Sequence, residues 1–424
     1  MRIQTKRVRM RTHRAAWLAS LAMMLVLTAP GWAGEEAVRD GVTHVLNGPK
    51  PSKGVEKLEL EELWRVGGAD DYDNLFGVVV QALHDEAGNI YLLDMQLGEV
   101  QVFSPEGEKI KTLSRQGEGP GEVQNPSDMC LLPSGNIGIV QTFPGKLVVI
   151  DREGIPVGDV LVGSADPAAG GLRVLIDAQC NGTDLVMSGM AIEQAQAGQN
   201  RTNFLASFTE EGKEVTRYMT KETKLDFQNF EIIEKDQYFV FPRRWALAED
   251  GHVYGPPERD AYVINIYAKD GTLERVIERE YENRARSDAE TERIRSAIEA
   301  QTRQAPFEVK TEICETEPVI TSIDLAPDGS IWVNTNRSAF EQPEGVLMTF
   351  DVFSPDGHFI KQLQVACEGD GANDGFFMIS PDRAILVKGL VSGVMAMQGG
   401  LGAGSAGGEE EEAPMEVIYY KVAS

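Results

Sequence analysis

The chain has 424 residues, 25% of them charged, with 66 Asp and Glu against 40 Lys and Arg and a formal net charge of −26. So acidic a surface excludes nucleic acid and anionic membrane as partners, because it repels both. Four scattered cysteines, Cys130, Cys180, Cys314 and Cys367, exclude a disulfide scaffold and a C-x-x-C metal knuckle.

The N-terminus reads as a targeting segment. Arg2, Lys6, Arg7, Arg9, Arg11 and Arg14 make a basic head, Ala15–Ala29 is apolar, and Gly31-Trp32-Ala33 supplies small residues at cleavage spacing. Residues 1–33 are expected to be a signal peptide cleaved after Ala33. No later segment has the length and apolarity of a membrane span. The mature chain is therefore expected to be exported, to the periplasm or outside the cell. Residues 34–55 read as a polar lead-in. Lys57–Val66, "KLELEELWRV", alternates as a strand does.

From Phe76 onward one pattern recurs. A short apolar strand enters a tight turn and a second strand leaves it: "DEAGNIYLLD" (Asp85–Asp94), "LPSGNIGIVQ" (Leu132–Gln141), "QCNGTDLVMS" (Gln179–Ser188), "AEDGHVYGPP" (Ala248–Pro257), "APDGSIWVNT" (Ala326–Thr335) and a worn "SPDRAILVKG" (Ser380–Gly389). A second hairpin echoes it in "VFSPEGEKI" and "VFSPDGHFI". Paired turn glycines, Gly88/Gly107, Gly135/Gly154, Gly182/Gly212, Gly251/Gly271 and Gly329/Gly357, mark two turns per unit. Repetition at this period predicts an all-β fold, a six-bladed β-propeller over residues 56–424. The sixth unit holds one strand too few after Val387, only "EVIYYKV" (Glu416–Val422). The N-terminal strand Lys57–Val66 is expected to complete it and close the ring.

The turns inside each hairpin are short. The long segments, Gly189–Thr202, Tyr281–Pro306, Arg337–Gly345 and Lys388–Pro414, all fall on the opposite face, which is therefore the expected site of function. Residues 283–304 carry Ala285, Ala289, Ile294, Ala297 and Ile298 near helical spacing and predict one helical insertion, a strut or a lid. Residues 389–414, rich in Gly and Met and ending in Glu409–Glu412, are expected to be disordered.

"GNIYLLDMQLGEVQVFSPEGEKI" (Gly88–Ile110), "GEGPGEVQNPSDMCLLPSGNIGIVQ" (Gly117–Gln141) and "FDVFSPDGHFIKQL" (Phe350–Leu363) resemble the NHL-repeat, TolB-like six-bladed propellers. The Gly-rich entry loop, Pro126 before the inner strand and Asp94 after the second strand carry the resemblance. It implies the fold. Relatives of this kind include protein-binding modules, sugar lactonases and peptide-amidating lyases, so it implies no single activity.

The chemistry is sparse. His44, His84, His252 and His358 do not share a level in the repeat and make a poor zinc set. No G-x-S-x-G elbow is present. The Gly117-x-Gly119-x-Gly121 run precedes a strand and reads as turn-shaping. Two acidic loops, with Asp70, Asp71, Asp73 and Asn74 in one and Asp370, Asn373 and Asp374 in the other, offer the hard oxygens that calcium takes; the alternative is solvated Asx turns. Calcium is the one cofactor these residues point to. Pro126 and Pro242 each lie nine residues before a turn glycine, which aligns Arg243 and Arg244 with Ser127 and Asp128. Arg243, Arg244, Trp245 and Asp128 are thus candidate ligand-binding residues at the channel mouth, the arginines suiting a carboxylate or phosphate. Cys314 and Cys367 occupy equivalent connections of adjacent units and form the favoured disulfide pair. Cys130 and Cys180 lie five and two residues before their turn glycines, an offset of roughly 10 Å along a strand that disfavours a bond.

These features point first to an exported binding module whose long-loop face takes a protein, peptide or glycan. The alternative is a calcium-dependent hydrolase or lactonase-like enzyme working in the central channel.

Overall fold

The computed structural model describes residues 34–162, 171–302, 309–399 and 414–422. The expected signal peptide lies outside them. So do residues 400–413 of the Gly/Glu-rich loop.

The chain opens with β1 (Glu35–Arg39), β2 (Val42–Asn47) and the long β3 (Val55–Gly67). Four-stranded antiparallel meanders follow. The first is β4 (Val79–His84), β5 (Ile90–Asp94), β6 (Glu99–Phe103) and β7 (Lys109–Leu113). The second is β8 (Pro126–Leu131), β9 (Ile137–Gln141), β10 (Lys146–Ile150) and β11 (Pro156–Leu161). The third is β12 (Leu172–Cys180), β13 (Leu185–Ala195), β14 (Gly198–Phe208) and β15 (Glu214–Asp226). After β16 (Glu231–Ile233) come β17 (Ala246–Leu247), β18 (Val253–Gly255), β19 (Val263–Tyr267) and β20 (Leu273–Arg279). After β21 (Lys310–Glu312) come β22 (Ile320–Leu325), β23 (Ile331–Thr335), β24 (Met348–Phe353) and β25 (Phe359–Ala366). The chain ends with β26 (Gly375–Ser380), β27 (Arg383–Lys388) and β28 (Glu416–Val422).

The turns form because glycine adopts the positive φ they need. All ten predicted turn glycines do so, with φ between 77° and 90°. Every residue of β5 and β9 is buried, whereas β7 and β11 are exposed along most of their length. Middle strands covered on both faces explain the unbroken apolar runs "IYLLD" and "IGIVQ".

The cores lie between sheets. One packs Leu93, Val100 and Val102 against Ile137, Ile139 and Val148. The next packs Val140 and Leu147 against Met187 and Phe204. Others join Leu205 to Trp245, Ile264 to Val333, and Phe350 to Phe376. A last one joins Phe377, Ile385 and Val417 back to Val79, Ile90 and Phe103. Sheet on sheet with the last returning to the first is a β-propeller-like arrangement.

β3 has two partners. Its first half runs parallel to β25, from Val55↔Gln362 to Glu59↔Ala366, and its second half antiparallel to β28, from Leu60↔Val422 to Gly67↔Glu416. It thereby completes the sheet of β26–β28, as the missing strand required.

Three expectations change. Residues 34–55 are more than a polar lead-in. β1 and β2 make a hairpin, and β2 pairs in parallel with β20. Fully buried Val45 and the amide of Asn47 anchor it: Asn47 Nδ2 donates to the carbonyl of Gly357 at 2.9 Å, and Oδ1 accepts from Phe359 N at 2.8 Å. Residues 389–414, expected to be disordered, begin with a helix, Leu390–Gly399. Leu390, Val394 and Met397 pack on the core beside Val78 and Met415, which outweighs their flexible composition. Gly189–Thr202 is an extension of β13 and β14, whose pairing runs on to Ala195↔Gly198.

The helical insertion is Asp288–Thr302. Ser287 and Glu290 cap it reciprocally, Ser287 N donating to Glu290 Oε2 at 2.7 Å and Glu290 N to Ser287 Oγ at 3.2 Å. It packs against the helix Leu390–Gly399. No helix among the described residues is long and apolar enough to cross a membrane.

Candidate functional site

The innermost strands β4, β8, β12, β17, β22 and β26 face one cavity of 380 Å³. Its polar lining is Gln81, Asp128, Asp177, Gln179, Arg243 and Asp324; Leu83, Leu131, Leu325, Met378 and Ile379 supply apolar wall. His84, Leu131, Cys180, Leu247 and Leu325 line it too, and each is the last residue of its strand before a short turn. The cavity thus sits at the short-turn end of the channel.

Two grooves continue from it. One of 730 Å³ lies between the β17–β20 and β22–β25 sheets, and one of 800 Å³ between the β22–β25 and β26–β28 sheets. Leu325 lines all three spaces.

Arg243 reaches across the channel cavity from the segment before β17. Its φ of 58° lies in the left-handed region, rare for a non-glycine residue. Backbone bonds hold it there: Arg243 N donates to Asp177 Oδ2 at 3.1 Å, and its carbonyl accepts from Ile323 N at 3.1 Å. The side chain reaches Asp324 Oδ1 at 3.5 Å and the Phe376 carbonyl at 3.4 Å, with the guanidinium 4.4 Å from the Phe377 ring centre. Both contacts use Nη2, so Nε and Nη1 have no acceptor among the described residues.

Two buried carboxylates tie neighbouring inner strands together. Asp128 accepts from Gln81 Nε2 at 2.6 Å, from Met129 N at 2.8 Å and from Ala178 N at 3.0 Å. Asp177 accepts from Trp245 Nε1 at 2.9 Å and from Arg243 N, and pairs with the Ser188 hydroxyl. Burial pushes Asp177 up to about 8, and the neighbouring charge of Asp128 adds to the rise. Burial pushes Asp128 up to about 6, against the pull of Ala178 N, Gln81 and Met129 N. Burial and the neighbouring Asp128 charge thus favour the protonated form of Asp177.

The sequence candidates divide. Asp128 and Arg243 line the cavity. Arg244 and Trp245 do not. Arg244 folds back on its own turn, donating to the Phe241 carbonyl beside the Tyr238 ring, with Nε buried and unpartnered. Trp245 is fully buried in the core and reaches the site through its indole bond to Asp177 and through its carbonyl, which accepts from Gln179 Nε2 at 3.0 Å. Asp177 was missed. Its signal was its place three residues before Cys180, close to that of Asp128 two before Cys130.

The acidic loops do not meet. Asp71 accepts from Gly67 N, Asp73 N and Asn74 N at 3.0–3.3 Å, and Asp374 accepts from Asp370 N at 2.8 Å and Gly389 N at 2.9 Å. Asn373 Oδ1 accepts from both the amide and the hydroxyl of Ser392, at 2.9 and 2.6 Å, in the first turn of the helix Leu390–Gly399. Asp70 is exposed. Asp370 Oδ1 accepts from Ala372 N at 3.0 Å. No group of three or more His, Cys, Asp or Glu takes metal-binding geometry among the described residues.

On the long-loop face the insertion is pinned. Arg286 and Arg259, 2% and 4% exposed, both pair with Glu234, at 2.7 and 2.9 Å, and Arg286 also reaches Glu317 at 2.7 Å. The Arg284 guanidinium lies 3.6 Å from the Phe340 ring centre. These contacts make the insertion a strut.

No family model matches the chain, and no curated protein matches it significantly. Solved structures similar to it include a member of the DUF4221 family from Bacteroides vulgatus, 10% identical, covering 86% of this chain and 97% of that one with a TM-score of 0.44. A calcium-binding protein, regucalcin, from Agrobacterium tumefaciens is 12% identical, covering 87% and 97% with a TM-score of 0.41. Virginiamycin B lyase from Staphylococcus aureus is 9% identical, covering 95% and 99% with a TM-score of 0.41. The architecture described above rests on the sheets and cores of this chain.

Proposed function

We propose that this chain is an exported, NHL/TolB-like six-bladed β-propeller, closed by β3, that acts as a binding module for an extended peptide or protein segment. The long-loop end was the expected docking face; the short-turn end is the better candidate. The observation that carries this is the meeting of three cavities at Leu325. A groove on each side of a channel mouth fits an extended chain that sends one polar group inward. Arg243, whose Nε and Nη1 meet no acceptor among the described residues, and the acceptors Asp128 and Asp324 are the groups that would receive it. At the long-loop end the helix Leu390–Gly399 seats beside Val78 and Met415 and packs on the insertion.

An array of random peptides probed with residues 34–424 tests the reading. Peptides retained by the wild type should lose at least about tenfold in affinity on Leu325→Arg, the scale of a blocked hot spot. Retention unchanged by Leu325→Arg would overturn the assignment.

A second reading, a hydrolase, draws on the raised pKa values of Asp177 and Asp128, which suit acid–base work. It predicts turnover of lactone or ester substrates that Asp128→Asn abolishes. The binding reading predicts no turnover with or without calcium.

A further inference from the structure

We propose that Cys130 and Cys180 are joined in the mature protein by a disulfide that staples β8 to β12 at the channel wall. The two sulfurs lie 2.8 Å apart, less than ~1 Å beyond a disulfide bond of about 2.05 Å. Cys130 belongs to the core between the β8–β11 and β12–β15 sheets, and Cys180 packs against that core. No strand has to move to bring them together.

The offset inferred from the turn glycines was misleading for a physical reason. Gly182 is the second residue after the last pair of its hairpin, Cys180↔Leu185, whereas Gly135 is the fourth after Leu131↔Ile137. Counted from the last paired residue, Cys180 stands at it and Cys130 one before. The true offset is one residue, about 3.3 Å along a strand, and not three. The favoured pair fails instead. Cys314 lies by the Arg286–Glu234 cluster, its carbonyl accepting from Arg286 Nη1 at 2.8 Å, while Cys367 packs on the core of Leu347 and Tyr420. Neither sulfur contacts another among the described residues.

Both members of the close pair line the channel cavity, so an exchange partner reaches them from the mouth. The oxidant is a protein or small-molecule disulfide of the exported compartment. One thiolate attacks that disulfide and releases one reduced thiol; the second cysteine then displaces the other. The pair loses two electrons and two protons, and R–S–S–R becomes two R–SH. An exported compartment keeps the product oxidised.

The test uses the exported full chain, or chain from reducing medium treated with oxidised glutathione. It is denatured without reductant, alkylated and digested. We expect Cys314 and Cys367 alkylated, and the Cys130 and Cys180 peptides recovered as one species lighter by two hydrogens. Reductant should lower the Tm of the wild type and of Cys314→Ser/Cys367→Ser by several degrees, and leave Cys130→Ser/Cys180→Ser unmoved. Four alkylated cysteines, or a linked species containing Cys314 or Cys367, would overturn the proposal. The peptide map of the wild type decides the matter even where the Cys130→Ser/Cys180→Ser variant does not fold.

Discussion

Two sets of ionisable groups lie on either side of Arg244, which feels the charge of both, and burial acts on them with different results. At the strut, burial works against the Glu234 carboxylate, yet hydrogen bonds from Arg286, Cys314 N and Arg259 hold it below its usual range. In the channel, burial raises Asp177 and Asp128; the Arg244 and Arg243 charges offset this only in part, Arg243 making its side-chain contacts with Asp324 and Phe376. Burial is common to both. The sign and geometry of the neighbours decide whether the charge survives. One site is thereby a clamp and the other a polar surface with chemistry to spare.

The largest effect should come from breaking the clamp. Arg286→Met leaves part-buried Glu234 with Arg259 alone and takes Glu317's partner away, and should cost about 3 kcal/mol in urea unfolding. Trp245→Phe removes the indole donor to Asp177 and should cost about 1.5–3 kcal/mol, while raising that carboxyl's proton affinity further.

The pH dependence sharpens the contrast. Asp177 is raised from an ordinary 3.8 to about 8, so the stability it contributes is full below about 4 and is lost as pH rises through 8. Asp177→Asn, which can donate to Ser188 and accept from Trp245 as the protonated acid does, should flatten that decline by at least ~1 kcal/mol between pH 5 and 8. Glu234 runs the other way. Its pKa is lowered from 4.5, so its contribution is present at neutral pH and lost in acid, and Glu234→Gln should erase an acid-side loss instead. Parallel slopes for the two variants, in melting curves taken across pH, would break the comparison.

Smaller still is Arg243→Met. Its pair with Asp324 spans 3.5 Å and is one-third exposed, so stability should fall by no more than ~1 kcal/mol while peptide retention is lost. The acidic loops come last. The carboxylates of Asp71, Asp370 and Asp374 already accept backbone N–H groups, so EDTA or added calcium should leave Tm unchanged; a saturable rise would instead mark a specific site.

Much of the fold was legible because it is written in local chemistry. Turn glycines fix hairpins through φ, and "IYLLD" or "IGIVQ" fixes a strand covered on both faces. The missing strand of the last sheet was legible by counting. What failed were judgments on composition alone. A polar lead-in folds because Val45 and Asn47 find partners some 310 residues away at Gly357 and Phe359. A Gly- and Met-rich stretch starts as a helix because Leu390 and Val394 find an apolar seat.

The repeating strands, their turns, the strand that β3 supplies and the acidic surface all follow from residue type and spacing along the chain. Packing in three dimensions was needed to show that the channel cavity lies by the short turns, that Asp177 stands beside Asp128, that Arg244 turns away while Arg243 reaches into the cavity, and that Cys130 meets Cys180. Those depend on how one sheet rotates and slides against the next. That offset is set by the packing of whole cores, and no single turn or strand encodes it.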